Sequence, residues 1–144
     1  MKRKMWLLGL VTTMLMVMAA PAMAQGPITP QHSDLTWQAT YWNNTSLSGA
    51  SALTRADANI DFDWGSGSPA SQVNSDNFSA RWTRYIDVTP GTYQFTVTSD
   101  DGIRVWVDGS LLLDKWYAHA VETHTAEVYL AAGHHLIQVD YFEQ

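Results

Sequence analysis

Tyr93-Gln94-Phe95-Thr96-Val97-Thr98-Ser99-Asp100-Asp101-Gly102-Ile103-Arg104-Val105-Trp106-Val107-Asp108-Gly109-Ser110-Leu111-Leu112-Leu113 is the stretch that decides the fold. Tyr93, Phe95 and Val97 alternate with Gln94, Thr96 and Thr98. Ile103, Val105 and Val107 then alternate with Arg104, Trp106 and Asp108. A period of two places each apolar set on one face of a half-buried strand. Asp108-Gly109 is a strong hairpin signal, because both residues tolerate the positive φ of a tight primed turn. Ser99-Asp100-Asp101-Gly102 is a short polar loop between the two strands.

The same period runs outward in both directions. Upstream, Trp37, Ala39 and Tyr41 alternate with Gln38, Thr40 and Trp42. Residues 43–58, rich in Asn, Ser, Gly, Ala and Asp, read as a long loop. Ile60, Phe62 and Trp64 share a face, and Gly65-Ser66-Gly67-Ser68-Pro69 breaks the chain. Phe78, Ala80, Trp82, Ile86 and Val88 form the next face, closed by the turn Thr89-Pro90-Gly91-Thr92, in which Gly91 tolerates a positive φ. Downstream, Ala126, Val128 and Leu130 alternate, and Ala132-Gly133 turns into His135, Ile137, Val139 and Tyr141. Asp114–Thr123 shows no clear pattern. About eight short strands with frequent turns predict an all-β antiparallel sandwich or barrel. Trp37, Trp64 and Trp82 fall on apolar faces and are expected in its core.

The amino terminus reads differently. Lys2-Arg3-Lys4, an apolar run from Met5 to Ala20 and the sequence Ala22-Met23-Ala24 make a secretory signal peptide, residues 1–24, cleaved after Ala24. The run is shorter than the roughly 20 residues a membrane span needs. Residues 25–35 are a flexible lead, and 36–144 the domain. Export of 25–144 leaves 5 Lys and Arg against 14 Asp and Glu, a net charge of −9 where the whole chain carries −6. Such acidity argues against a nucleic-acid partner, and no membrane contact is expected once the leader is gone. The 144 residues contain no cysteine, which removes disulfides, cysteine-ligated zinc, a thiol nucleophile and a lipoprotein anchor. The expected location is extracellular or periplasmic.

The residues that could carry chemistry are few. Asp100 and Asp101 are adjacent carboxylates at a strand end, and a divalent cation would relieve their repulsion. Asp-Asp-Gly is also a common solvated turn. Asp61 and Asp63 share a strand face about 7 Å apart, a spacing a glycosidase could use, yet neighbouring carboxylates on a wet face are far commoner. His119, His124, His134 and His135 match no helical zinc motif and carry no metal reading. No Ser sits in a Gly-x-Ser-x-Gly elbow. Asn43-Asn44-Thr45 and Asn77-Phe78-Ser79 fit a glycosylation pattern that a bacterial chain shows by chance. No catalytic residue is assigned.

The blocks Gly91–Val97, Ser99–Gly109 and Gly133–Glu143 together resemble the anthrax-protective-antigen-type domain, also written PA-fourteen. Tyr41-Trp42-Asn43, Ile60–Trp64 and Phe78–Trp82 are similar to its early strands, so the likeness spans roughly 36–143. It implies a β-sandwich carbohydrate-recognition module, as in bacterial glycosidases, toxins and fungal flocculin-type adhesins. In lectin-active members two adjacent aspartates joined by a cis peptide bind calcium, and the ion binds two sugar hydroxyls. Asp100 and Asp101 match that pair. The next ligand is an Asn two residues past a Tyr. Here the Tyr is Tyr141 and the ligand position holds Glu143, which carries more charge and a longer side chain. The family continues through a sugar-contacting loop and a closing strand. The sequence stops at Gln144, so the expected domain lacks its final strand and is a fragment, is completed by another domain or chain, or has an open edge.

The expectation is a secreted, lectin-like module with a glycan or polysaccharide partner, calcium as cofactor, a role in adhesion, and no enzymatic activity. Asp100, Asp101 and Glu143 are the expected metal ligands. Asp100, Asp101, Gly102, Trp106, Trp116 and Tyr117 are the expected sugar contacts. The rival is a non-catalytic structural or protein-interaction module that keeps the fold and has lost sugar binding. A second rival is the accessory piece of an enzyme encoded elsewhere.

Overall fold

The computed structural model describes residues 34–144 and, as backbone, residues 4–13. Cleavage after Ala24 and most of the 25–35 lead lie outside the described residues.

Ten strands are present among the described residues: β1 (Lys4–Thr13), β2 (Trp37–Trp42), β3 (Leu53–Asp57), β4 (Asp61–Asp63), β5 (Phe78–Val88), β6 (Gly91–Ser99), β7 (Ile103–Val107), β8 (Ser110–Lys115), β9 (Glu122–Leu130) and β10 (Gly133–Glu143). They form two antiparallel sheets, β4-β1-β6-β9 and β3-β2-β5-β10-β7-β8. One core joins them. Trp37, Ala39, Tyr41, Phe78, Ala80 and Trp82 of the larger sheet are buried with Tyr93, Phe95 and Val97 of the smaller. This is the all-β sandwich that the period of two predicts. Trp37 and Trp82 are buried, and Trp64 is half-buried against the same core.

Three places differ from the sequence pattern. Leu53–Asp57 is a strand where a loop is expected, because its inward face is Leu53, Arg55 and Asp57 and so carries charge rather than an apolar signal. Gly91 opens β6 without a positive φ, whereas Gly109 (φ 78°) and Gly133 (φ 133°) do use that freedom. β1 lies inside the stretch assigned to the leader, and in the chain that carries it this stretch pairs with both β4 and β6.

The Asp108–Gly109 hairpin is clamped onto β10. Asp108 has φ 50° and accepts the Leu136 N–H at 2.9 Å. His135 Nδ1 stands 2.6 Å from Asp108 Oδ2, and its Nε2 stands 3.1 Å from the Ala131 carbonyl. Both ring nitrogens face acceptors, so only the doubly protonated ring satisfies both. The hydrogen bond to Asp108 raises the His135 pKa, opposed by burial and helped by the Ala131 carbonyl and the Asp108 charge. Burial pushes Asp108 up, but the bonds from His135 and Leu136 outweigh it and hold its carboxyl below the usual range. The His135 contribution is complete below its unfolded value of 6.5 and is lost as pH rises through the raised folded value. The Asp108 contribution is present above 3.8 and is lost as pH falls through its lowered one. The clamp is therefore strongest between these limits. Asp108 is 49% exposed, so solvent screening limits the effect to about 0.5–1 kcal/mol. Melting temperature should fall more steeply for the parent than for His135→Gln as pH rises from about 6 to 9. Parallel curves would show that the pair contributes nothing.

Candidate functional site

The loop Asp100-Asp101-Gly102 carries the chain from β6 in one sheet to β7 in the other. It sits at the sandwich end where β10 finishes, since Tyr141 pairs with Ile103 across β7 and with Ala80 across β5. The Asp100–Asp101 peptide is cis, the form the resemblance implies for this pair.

Each part of the loop is held by a different segment. Asp101 is buried, and both its oxygens accept backbone N–H groups: Oδ1 from His119 and Oδ2 from Gln144, each at 3.0 Å. Each oxygen keeps a further lone pair for a cation. The Tyr141 hydroxyl faces two acceptors, the Asp100 carbonyl at 2.5 Å and Glu143 Oε2 at 2.6 Å. Burial, and then the neighbouring charges of Glu143, Asp101 and Asp100, push the Tyr141 phenol far above its ordinary value. It therefore stays a proton donor at any accessible pH. Glu143 itself is buried.

Gly102 is required by packing. Its carbonyl accepts the Phe142 N–H at 3.0 Å, and a Cβ at this position would lie 2.1 Å from Phe142 Cε1. The Phe142 ring meets Trp116 edge-on at 4.9 Å between centroids. The Arg104 guanidinium covers the Trp116 ring at 4.6 Å, while Arg104 Nε donates to Asp114 Oδ1 at 2.9 Å. Trp116 is thus fixed beside the loop rather than free to swing. Tyr117 is 49% exposed, with its ring 5.1 Å from that of His119.

The structure therefore brings Asp100, Asp101, Gly102 and Glu143 to one strand end, with Trp116 attached through Phe142 and Tyr117 through His119. Trp106 stands apart, three residues into β7 opposite Gln138 and Leu111, roughly 10 Å along the strand from Ile103. Asp61 and Asp63 are both exposed on β4. Four contributors carry no functional assignment from sequence: the backbone amides of His119 and Gln144, the Tyr141 hydroxyl and the Phe142 ring. A backbone N–H leaves no trace in residue identity, Tyr141 reads only as the landmark that precedes Glu143, and Phe142 reads simply as a strand residue. Arg104 had a signal, since it shares the polar face of its strand with Trp106.

Residues 36–144 match the family model described as the PA14 domain. The anti-sigma-I factor RsgI3 of Acetivibrio thermocellus is 40% identical over 105 residues, which cover 72% of this chain and 16% of that protein. A solved anti-sigma factor domain-containing protein aligns at 37% identity and TM-score 0.72, over 77% of this chain and 39% of that one. A second, from Clostridium clariflavum, aligns at 33% identity and TM-score 0.70, over 87% and 43%. The PA14 domain of the MpAFP antifreeze protein aligns at 20% identity and TM-score 0.68, over 84% and 81%, a likeness of fold alone. The chain thus spans less than half the length of RsgI3 and of the two anti-sigma factor structures.

Proposed function

Because this chain belongs to the PA14 domain family, we propose that it is a non-catalytic module that binds carbohydrate outside the cytoplasm, with calcium held at the Asp100–Asp101 loop. The observation that carries this reading is the pair of adjacent carboxylates at the inter-sheet loop, with Asp101 gripped at both oxygens by backbone amides. The donor chemistry fits calcium, which takes carboxylate and carbonyl oxygens. Asp100, Asp101 and Glu143 are the residues that would hold it. When bound, the ion would supply open coordination positions for vicinal hydroxyls of a sugar. The chain's own residues do the rest. Backbone amides orient Asp101, the Tyr141 hydroxyl donates its one proton between the Asp100 carbonyl and Glu143, and Trp116 and Tyr117 are the aromatic side chains near enough to the loop to meet the apolar side of a sugar.

The composition of residues 1–24 supports the extracytoplasmic part of this proposal. The names of its relatives extend the reading: this domain is the glycan-sensing part of a regulator of anti-sigma type, or a separate counterpart of such a part. The proposal includes no enzymatic step.

The second reading is a structural or protein-interaction module, favoured by Glu143. Its carboxylate is almost fully enclosed and sits 2.6 Å from the Tyr141 hydroxyl, where it serves as a fixed acceptor without any ion.

A thermal melt of the full chain, in millimolar calcium and again in EDTA, separates the two. A ligand at about 100 times its dissociation constant stabilises the native state by roughly 2.7 kcal/mol. For a domain of this size that is about ten degrees. The shift should vanish in the Asp100→Asn, Asp101→Asn double variant, and calcium-dependent glycan binding should vanish with it. Glycan binding that survives in the double variant would place the sugar site elsewhere. A cooperative melt with no calcium shift would favour the interaction module.

A further inference from the structure

We propose that His119, Glu122 and His124 form a zinc site beside the carboxylate loop. Their ligating atoms all lie within 4.8 Å of one another. Glu122 and His124 are two apart in β9, so they project from the same face of the strand. His119 comes back over that face from the segment between β8 and β9. Across the sheet, Glu122 pairs with Ser99 and His124 with Val97, so the cluster stands directly beside the start of the Asp100–Asp101 loop.

Three observations point to a cation rather than to ordinary side-chain packing. His119 Nε2 is a buried atom without a hydrogen-bond partner, and His124 Nε2, equally buried, meets only the Glu122 carboxylate. An enclosed ring nitrogen is seldom left unsatisfied. His119 Nδ1 lies 2.7 Å from the Ala120 carbonyl. As an N–H donor there, it leaves the Nε2 lone pair facing the cluster, the arrangement that orients metal-binding imidazoles. His124 Nε2 and Glu122 Oε2 are 3.2 Å apart, close to the ~3.3 Å edge of a tetrahedron with zinc bonds of about 2.0–2.1 Å.

Two imidazoles and a carboxylate suit zinc better than calcium, which prefers oxygen. Three protein ligands leave a fourth position to water or an external group. The same His119 donates its backbone N–H to Asp101 Oδ1. Zinc at this site would therefore pin the Trp116–Val121 segment to β9 and, through His119, to the carboxylate loop.

The test is calorimetric titration of zinc chloride into the metal-stripped full chain, with cobalt(II) as a spectroscopic probe. The expected result is saturable zinc binding and the visible absorption of four-coordinate cobalt. His119→Ala keeps the backbone N–H that Asp101 accepts, and Glu122→Gln keeps the shape of an exposed side chain, so both variants should fold. Each should weaken zinc by more than the roughly 10–100-fold that follows loss of an outer partner. The Asp100→Asn variant, which leaves the Asp101–His119 bond in place, should bind zinc as the parent does, which separates this site from the calcium reading. Parent-like affinity in His119→Ala and Glu122→Gln overturns the proposal, as does zinc binding that is lost only with Asp100. Absence of any saturable zinc binding by the parent overturns it as well.

Discussion

Replacing Asp57 by Ala should cost about 3–5 kcal/mol of folding stability, a large share of the 5–15 kcal/mol that a domain of this kind possesses. Asp57 closes β3, the edge strand of the larger sheet, and is buried. Its Oδ2 accepts the Tyr41 hydroxyl at 2.7 Å and the Trp82 indole N–H at 2.8 Å. Its Oδ1 accepts Arg55 Nε at 2.6 Å. Arg55 in turn reaches the Tyr41 oxygen at 2.9 Å and the Pro69 carbonyl at 3.0 Å, with its guanidinium 4.8 Å from the Tyr41 ring centroid. The network is therefore one carboxylate serving three donors from three strands. Ala removes the oxygen that accepts from both Tyr41 and Trp82 and leaves two enclosed donors unsatisfied. It also leaves Arg55 half-enclosed without its counter-charge. Burial, and next the bond to Asp57, raise the Tyr41 phenol far above its normal value, so the ring cannot ionise to compensate. Asp57→Asn should lie between the parent and Ala, since the amide keeps one acceptor oxygen and turns an NH2 toward a donor. Urea unfolding of the three proteins measures the effect. A loss below about 1 kcal/mol for Asp57→Ala would mean that water already serves these donors.

This network also explains what the sequence concealed. The faces Trp37-Ala39-Tyr41 and Phe78-Ala80-Trp82 are legible because the core reads them as apolar, and all six residues are buried. Leu53–Asp57 obeys the same period of two, but its inward residues include Arg55 and Asp57, and hydrophobic patterning cannot distinguish a buried ion pair from a wet loop. The carboxylate loop is legible for the opposite reason. Adjacent aspartates between two clear strands stand out, and the hairpin at Asp108-Gly109 fixes where the second strand ends. The rest of that site depends on tertiary approach. Glu143 meets the loop only because β10 pairs in full register with β5 and with β7. His119 meets it because the segment after β8 folds back across the sandwich end. His119 and His124 are five apart in sequence, a spacing that matches no helical metal motif. They meet because one is on a strand and the other on the loop that precedes it.

The second large effect is expected at Asp140→Ala, about 2–4 kcal/mol, somewhat under the cost of breaking a fully enclosed pair because Arg81 is 39% exposed and can rehydrate. Asp140 lies on β10 and is 1% exposed. Arg81 faces it directly across the β5 pairing, with Nε 2.7 Å from Oδ1 and Nη2 2.6 Å from Oδ2. The fork matches both oxygens and orients the carboxylate, and Gln138 Nε2 adds a third donor at 3.2 Å. The bond to Asp140 raises the Arg81 pKa despite the opposing effect of burial, so the guanidinium stays charged throughout the working range. Asp140 also sits in the strand that delivers Tyr141 and Glu143 to the carboxylate loop, one and three positions further on. Loosening β10 here should therefore weaken the proposed calcium binding as well as stability. Replacing both partners separates pairing from packing. Asp140→Leu with Arg81→Leu removes the charges together, and its cost should be well below the sum of the single losses, since apolar pairs often replace buried ion pairs with little penalty. Denaturation of the two single variants and the double variant gives the coupling. Additive losses would show that the fork contributes no pairwise energy, and that Asp140 is held by its strand alone.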